Sequence, residues 1–170
     1  MVARNRRLEP DTGEKGGSET GPSPVDRGRS GSKHHLLVDA QGTPLAWSLT
    51  GGNRNDITQL IPLLDAVPPV RGRVGRPRRR PERLTADRGY DSDGHRRELR
   101  RRGITPEIAR RKREHGSGLG RHRWVVERTF AWLHHFKRLH VRYERRHDIH
   151  HAFLALGCCL VCYRRLNNSL

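Results

Sequence analysis

Two short apolar runs, Leu36-Leu37-Val38 and Leu45-Ala46-Trp47-Ser48-Leu49, flank the turn-rich segment Asp39-Ala40-Gln41-Gly42-Thr43-Pro44. That spacing reads as two adjacent antiparallel strands joined by a loop slightly longer than the tightest hairpin turn. Beyond the hairpin the chain alternates in period. Asn55 or Asp56 caps a helix with apolar positions Ile57, Leu60, Ile61 and Leu64, and Pro68-Pro69 ends it. Residues 71–83 interleave arginines with Gly72, Gly75, Pro77 and Pro81, bury no face and read as a solvated basic loop. Residues 83–87 read as a strand, Asp91 or Ser92 caps a basic helix to Arg102, and 104–109 read as another strand. Strand, strand, helix, strand, helix, strand and then helices make an α/β chain.

The 170 residues make one domain the expectation. Residues 1–33 carry nine Gly and Pro among charges and serines with no apolar periodicity, and read as a loop or disordered N-terminal segment. Residues 34–166 form the domain and 167–170 a tail. Lys plus Arg total 35 against 18 Asp plus Glu, a formal charge of +17, which attracts polyanions without specifying a sequence or a chemistry. Met1 to Lys15 hold no apolar signal region, and the apolar run 152–163 is too short to span a bilayer, so a cytoplasmic protein with no membrane partner is expected. Cys158, Cys159 and Cys162 lie inside that run and read as core thiols.

In so basic a chain, isolated acids among apolar residues stand out. Asp87 ends the short strand just before Arg88-Gly89, and Glu127 interrupts an otherwise apolar helix running from Arg121 to about Lys137. Val126, Phe130, Leu133 and Phe136 lie on its apolar arc, whereas Arg123, Glu127, His134 and Arg138 share a narrow polar stripe. The last helix, about 148–166, repeats Ile149, Phe153, Leu156, Leu160 and Tyr163 at steps of four and three, and is expected to pack on the Glu127 helix. Carboxylates converging from separate elements are what a divalent-metal phosphodiester site needs. The plainer reading is that Asp87 caps a turn and Glu127 pairs with Arg123.

Several ordered blocks carry a family resemblance: residues 20–29 (Thr-Gly-Pro-Ser-Pro-Val-Asp-Arg-Gly-Arg), 31–35, 49–56, 86–90 and 123–132. Together they resemble the catalytic portion of bacterial insertion-sequence DDE transposases of the IS4/IS5-like type, from about residue 16 to 166. The resemblance implies a ribonuclease-H-like mixed sheet flanked by helices, and Mg²⁺ dependence with Mn²⁺ as a substitute. It further implies strand cleavage and transfer on insertion-sequence ends and target DNA. By this likeness Asp87 is the second acid, Glu127 the third, and Arg123 the arginine four residues before it; Gly120 and His134 stand where the family has a tyrosine and a lysine. The first acid belongs on a first strand upstream of the Thr-Gly-Pro-Ser-Pro block. Residues 2–10 do not read as such a strand, and Asp11 and Asp26 are weak candidates, so the expectation is a truncated or frame-split chain lacking the first strand, dependent on an upstream-frame segment. A homo-oligomer and a nucleoid location through DNA fit the likeness. The alternative is a non-catalytic, arginine-rich DNA-binding remnant that keeps the fold.

For DNA contact the candidates are Arg76, Arg78, Arg79 and Arg80 in the basic loop, with Arg123, His134 and Lys137 on or near the Glu127 helix. Residues 73–80 resemble a Gly-Arg-Pro minor-groove hook. The reading preferred from sequence is a flexible loop touching phosphates, because nothing local holds its shape. Trp124 and Trp132 on the apolar helix are expected in the core.

Overall fold

The computed structural model describes residues 1–7, 9–10, 17–22, 30–72, 74–110 and 120–167, with backbone alone over 2–10 and 120–123. The hairpin forms as its spacing predicts: β4 (Ser30–Val38) and β5 (Pro44–Gly51) run antiparallel, His35 facing Ser48 and Leu36 facing Trp47. In the intervening turn, Asp39 Oδ1 accepts from the N–H groups of Gln41 and Thr43.

The strand expected to be missing is present. β1 (Val2–Arg7) lies in the middle of the sheet, antiparallel to β4 from Val2–Val38 to Arg7–Lys33 and parallel to β6 (Arg83–Ala86) at Val2–Thr85 and Ala3–Ala86. β7 (Thr105–Ile108) pairs parallel with β6. The main sheet therefore runs β5-β4-β1-β6-β7, with β3 (Gly21–Pro22) also on β4, while β2 (Glu9–Pro10) pairs with β8 (Val141–Arg142). Residues 1–33 are thus not simply a loop. The polar run Val-Ala-Arg-Asn-Arg-Arg becomes a strand because neighbours on both sides take its backbone donors and acceptors, a tertiary effect that overrides weak local pattern.

Pleating sorts β4 into two cores. Leu37 joins Ala46, Leu60, Leu63, Leu64, Leu84, Ala86 and Leu99 beneath α1 (Leu60–Asp65) and α2 (Asp93–Arg101). Leu36 and Val38 point the other way, to Val126, Phe130, Leu133, Leu139, Leu154, Cys158 and Val161 on α3 (Gly120–His134), α4 (Lys137–His140) and α5 (His147–Asn167). Each fully buried leucine contributes about 1.5–3 kcal/mol relative to exposure. α3 lies along β1 and touches β4 and β6, and α5 packs on β5 and α3. Among the described residues no helix is long and apolar enough to cross a membrane.

α5 packs on α3 as expected, but with a different face. Its buried residues are His150, Leu154, Gly157, Cys158 and Val161, whereas Leu156 is 57% and Tyr163 61% exposed. Gly157 lets the packing be close: a Cβ there would stand 2.8 Å from Leu139 Cδ1 and 2.9 Å from Leu133 Cδ2, so a larger residue would require those leucine ends to shift. Cys159 is exposed and Cys162 half-buried, which leaves Cys158 as the one of the three in the core.

Candidate functional site

β6 delivers Asp87 to the end of the sheet. Its backbone is still extended (φ −75°, ψ 173°), and its side chain caps a short 3₁₀ turn, Arg88–Tyr90, with Oδ1 accepting from the Gly89 N–H at 2.8 Å. Turn capping, the plainer reading from sequence, is therefore what Asp87 does in this structure.

A second aspartate lies beside it. Asn55 caps the 3₁₀ turn Asp56–Gln59, its Oδ1 accepting from the Ile57 N–H, and the Asp56 carboxylate is left for another partner. That partner is Lys33, a buried residue of β4 whose Nζ donates to Asp56 Oδ1 at 2.8 Å and to the Arg54 carbonyl at 2.6 Å. A Cβ built on Gly89 would lie 2.9 Å from Asp87 Oδ1 and 3.2 Å from Asp56 Oδ2. Gly89 therefore lies close to both carboxylates, and a larger residue there would require the Asp87 carboxylate to shift. From sequence, Asp56 reads as a capping acid at a helix start. The clue that points elsewhere is a lysine inside an apolar strand, which must find a charge to be buried.

Buried polar groups extend behind these acids. His35 Nδ1 meets the Tyr90 hydroxyl at 3.1 Å, and its Nε2 meets Thr50 Oγ1 at 2.7 Å. Burial lowers the His35 pKa to about 4, with Asp56 pulling it up and Lys33 pushing it down. Burial also raises the Tyr90 phenol, helped by the negative charges of Asp87 and Asp56. Tyr90 and His35 are thus neutral at pH 7, and together they fix the turn that carries Asp87.

Glu127 is exposed on α3, on a helix seated by Val125, Val126, Phe130 and Leu133. Its neighbour Arg128 donates to the Gln41 carbonyl and stacks over Trp124 and Trp132, while Arg165 of α5 also stands over Trp132. Trp124 is 50% exposed, so the expected core placement fails there, whereas Trp132 is half-buried and packs against the core of α3, α4 and α5 while its ring also meets the arginines.

The other sequence candidates scatter. Arg76, Arg78, Arg79 and Arg80 are exposed before the first residue of β6, at the end of that strand opposite Asp87. His134 packs edge-on against His34, Phe130 and His140. Lys137 is exposed, 5.9 Å above the Tyr143 ring. The Arg123 side chain, Asp11 and Asp26 lie outside the described residues. An oxygen donor set such as Asp56, Asp87 and Glu127 has the chemistry a hard divalent cation prefers. Among the described residues, no three His, Cys, Asp or Glu side chains already stand together as a ligand group.

A sheet of this mixed order with an aspartate at the end of a central strand is accompanied by a family match: the model of the transposase DDE domain covers residues 9–162, and the chain belongs to that family. A Burkholderia cepacia protein, whose name gives it the transposase role for insertion sequence element IS402, is 60% identical over 169 residues, covering 99% of this chain and 80% of the relative. The block resemblance to insertion-sequence DDE transposases therefore holds. Transposition is the function of this family, and divalent metal its usual requirement.

Proposed function

We propose that the chain is a ribonuclease-H-like DDE transposase domain that cleaves and joins DNA at insertion-sequence ends with Mg²⁺ or Mn²⁺, using Asp87 and Glu127 as its acids. The observation that carries this reading is the relation of α3 to β6. Leu84 and Ala86 are buried in the α1 and α2 core, so the pleat turns Asp87 out of that face. α3 runs over β1, directly beside β6, and meets β6 itself. Arg128 reaches the Gln41 carbonyl in the β4–β5 turn and Trp132 lies under Arg165 of α5, and at about 100° per residue Glu127 falls on a different flank of α3 from those two. Architecture supports the same reading: an antiparallel pair, a central strand between that pair and two parallel strands, and helices on both faces.

The chain's own groups have separable tasks. Asp87 is held at one oxygen by the Gly89 N–H, Lys33 neutralises Asp56 alongside, and the neutral Tyr90–His35 pair keeps the turn rigid. When bound, divalent ions supply Lewis-acid polarisation of the scissile phosphodiester and activation of the attacking oxygen. The +17 charge draws the DNA in, with arginines of the 71–83 segment as phosphate contacts.

The test is an end-cleavage assay on duplexes carrying insertion-sequence termini, comparing the full chain with Asp87→Asn and Glu127→Gln at matched folding by circular dichroism. Mg²⁺-dependent cleavage abolished by either substitution supports the assignment. Cleavage that survives both overturns it, and DNA binding without any cleavage points to the non-catalytic remnant instead.

A further inference from the structure

α5 has two apolar faces, and the fold uses one. His150, Leu154, Gly157, Cys158 and Val161 are buried, whereas Ile149, Ala152, Leu156, Cys159, Tyr163 and Leu166 are exposed. The exposed set advances by three and four residues in turn, the spacing of a coiled-coil seam, and forms a stripe about 100° wide along the helix. From Ile149 to Tyr163 no Lys, Arg, Asp or Glu occurs, in a chain where 31% of residues are charged. A second long uncharged segment, residues 40–53, holds β5, and the two come together. Between α5 and β5 lies a groove of about 680 Å³ lined by Leu45, Trp47, Pro68, Cys162 and Tyr163. Among the described residues β5 pairs with β4 alone, so this uncharged face is also an open edge of the sheet. An apolar surface this continuous is the mark of a contact site.

We propose that this face is the contact between two copies of the chain, α5 of one packing antiparallel on α5 of the other about a two-fold axis. The inference goes beyond strand cleavage and rests on none of its chemistry. Charge argues for this occupant. A polyanion finds no cation between Asp148 and Arg164, and two copies of a +17 chain repel each other least where neither carries charge. Seam spacing selects a helix as the covering element, because knobs at 3.5-residue intervals stay in line along a partner helix. The stripe is also complementary to itself when reversed. Turned about its midpoint between residues 157 and 158, it sets Ile149 against the partner's Leu166, Ala152 against the partner's Tyr163, and Leu156 against the partner's Cys159. Large meets smaller in the last two layers. A parallel pair would instead put alanine on alanine, tyrosine on tyrosine, and Arg164 and Arg165 on their own copies. An isologous contact of this kind closes as a dimer. β4 and β1 separate β5 from β6, which leaves the Asp87 end of β6 clear of the interface.

The experiment is sedimentation equilibrium of the full chain, freed of nucleic acid, from about 1 to 100 μM in salt that screens its charge. A mass of twice 19.6 kDa at the upper concentrations is the expected result. Leu156→Glu and, separately, Tyr163→Glu should each weaken the dimer at least about 30-fold, because each places two unpaired carboxylates in the contact. Val74→Glu, which charges the most exposed apolar side chain off the stripe, should leave it unchanged. Orientation is read by disulfide trapping in a Cys159→Ser/Cys162→Ser background. Ile149→Cys alone sets the two new thiols about 25 Å apart in an antiparallel pair and should not cross-link, whereas Ile149→Cys/Leu166→Cys should. A chain that stays monomeric throughout overturns the proposal and leaves the face to a different protein. So does a dimer that both glutamate variants leave intact, or one that Val74→Glu weakens as much. Cross-linking of Ile149→Cys alone overturns the antiparallel arrangement. Both glutamates replace exposed side chains, and matched melting temperatures separate a lost contact from a damaged fold.

Discussion

The two ends of β6 handle charge in opposite ways. Before Arg83, arginines stay in water and the backbone alone, through the Val70–Arg78 bridge and the left-handed Gly75, gives the loop its shape. After Ala86, charge is taken out of water: Lys33 is buried against Asp56, and His35 and Tyr90 are buried neutral behind Asp87. A solvated, backbone-shaped loop can change residues at little cost to folding. A desolvated polar cluster cannot, because each group depends on a partner that has also left water. Along one strand, then, solvated charge and buried charge fall at opposite ends, with different tolerance to substitution.

The largest expected effect is at the buried end. Lys33→Met strands the Asp56 carboxylate and should lower stability by about 3 kcal/mol in urea unfolding. The Lys33→Met/Asp56→Asn pair should recover a large part of that, giving a sizeable coupling energy in the double-mutant cycle. If the two losses simply add, the pair is not a unit, and the contrast between the ends collapses.

Next in size is a pH effect. The His35 pKa is depressed to about 4, below the roughly 6.5 of an unfolded chain, so the unfolded state takes up a proton that the folded state refuses. Stability should fall as pH drops from about 6.5 toward 4, by on the order of 2–3 kcal/mol from His35 alone. His34 and His150, whose Nε2 atoms are 3.0 Å apart, are also lowered by burial and steepen the same decline. Urea midpoints measured from pH 7.5 to 4.5, with His35→Gln beside the unmodified chain, check this. Equal slopes in the two proteins would show that His35 does not titrate in this way.

The smallest effect is at the exposed end. Arg76→Ala or Arg79→Ala should change unfolding free energy by less than about 0.5 kcal/mol. Each should also lower the slope of log affinity against log salt by about 0.9 for every phosphate no longer neutralised. A loop arginine whose removal destabilises the fold as much as Lys33→Met would erase the distinction between the two ends.

Local pattern sufficed for the elements whose signals are themselves local. The hairpin of β4 and β5, the Asn55-capped turn into α1, the strand ending at Asp87, and α2 closed at Gly103 all follow from periods of two or 3.6 and from cap and turn chemistry. Asp87 and Glu127 were legible as candidates because an acid in an apolar run is anomalous wherever it occurs. Asp56 was not, because its meaning lies in Lys33, 23 positions away, and in Gly89.

Tertiary structure alone decided three things. Val2–Arg7 has no strand pattern and became one because β4 and β6 bound both its edges. α5 is apolar nearly all round, so periodicity named the stripe Ile149–Leu156–Tyr163, whereas the fit of Leu133 and Leu139 against Gly157 chose another. The buried pairs His35–Tyr90 and His34–His150 join positions 55 and 116 residues apart. Period, caps and turns act within a few residues and are therefore written in the sequence. Edge pairing, close packing and the burial of charge depend on which distant surfaces meet, and only the assembled fold specifies that.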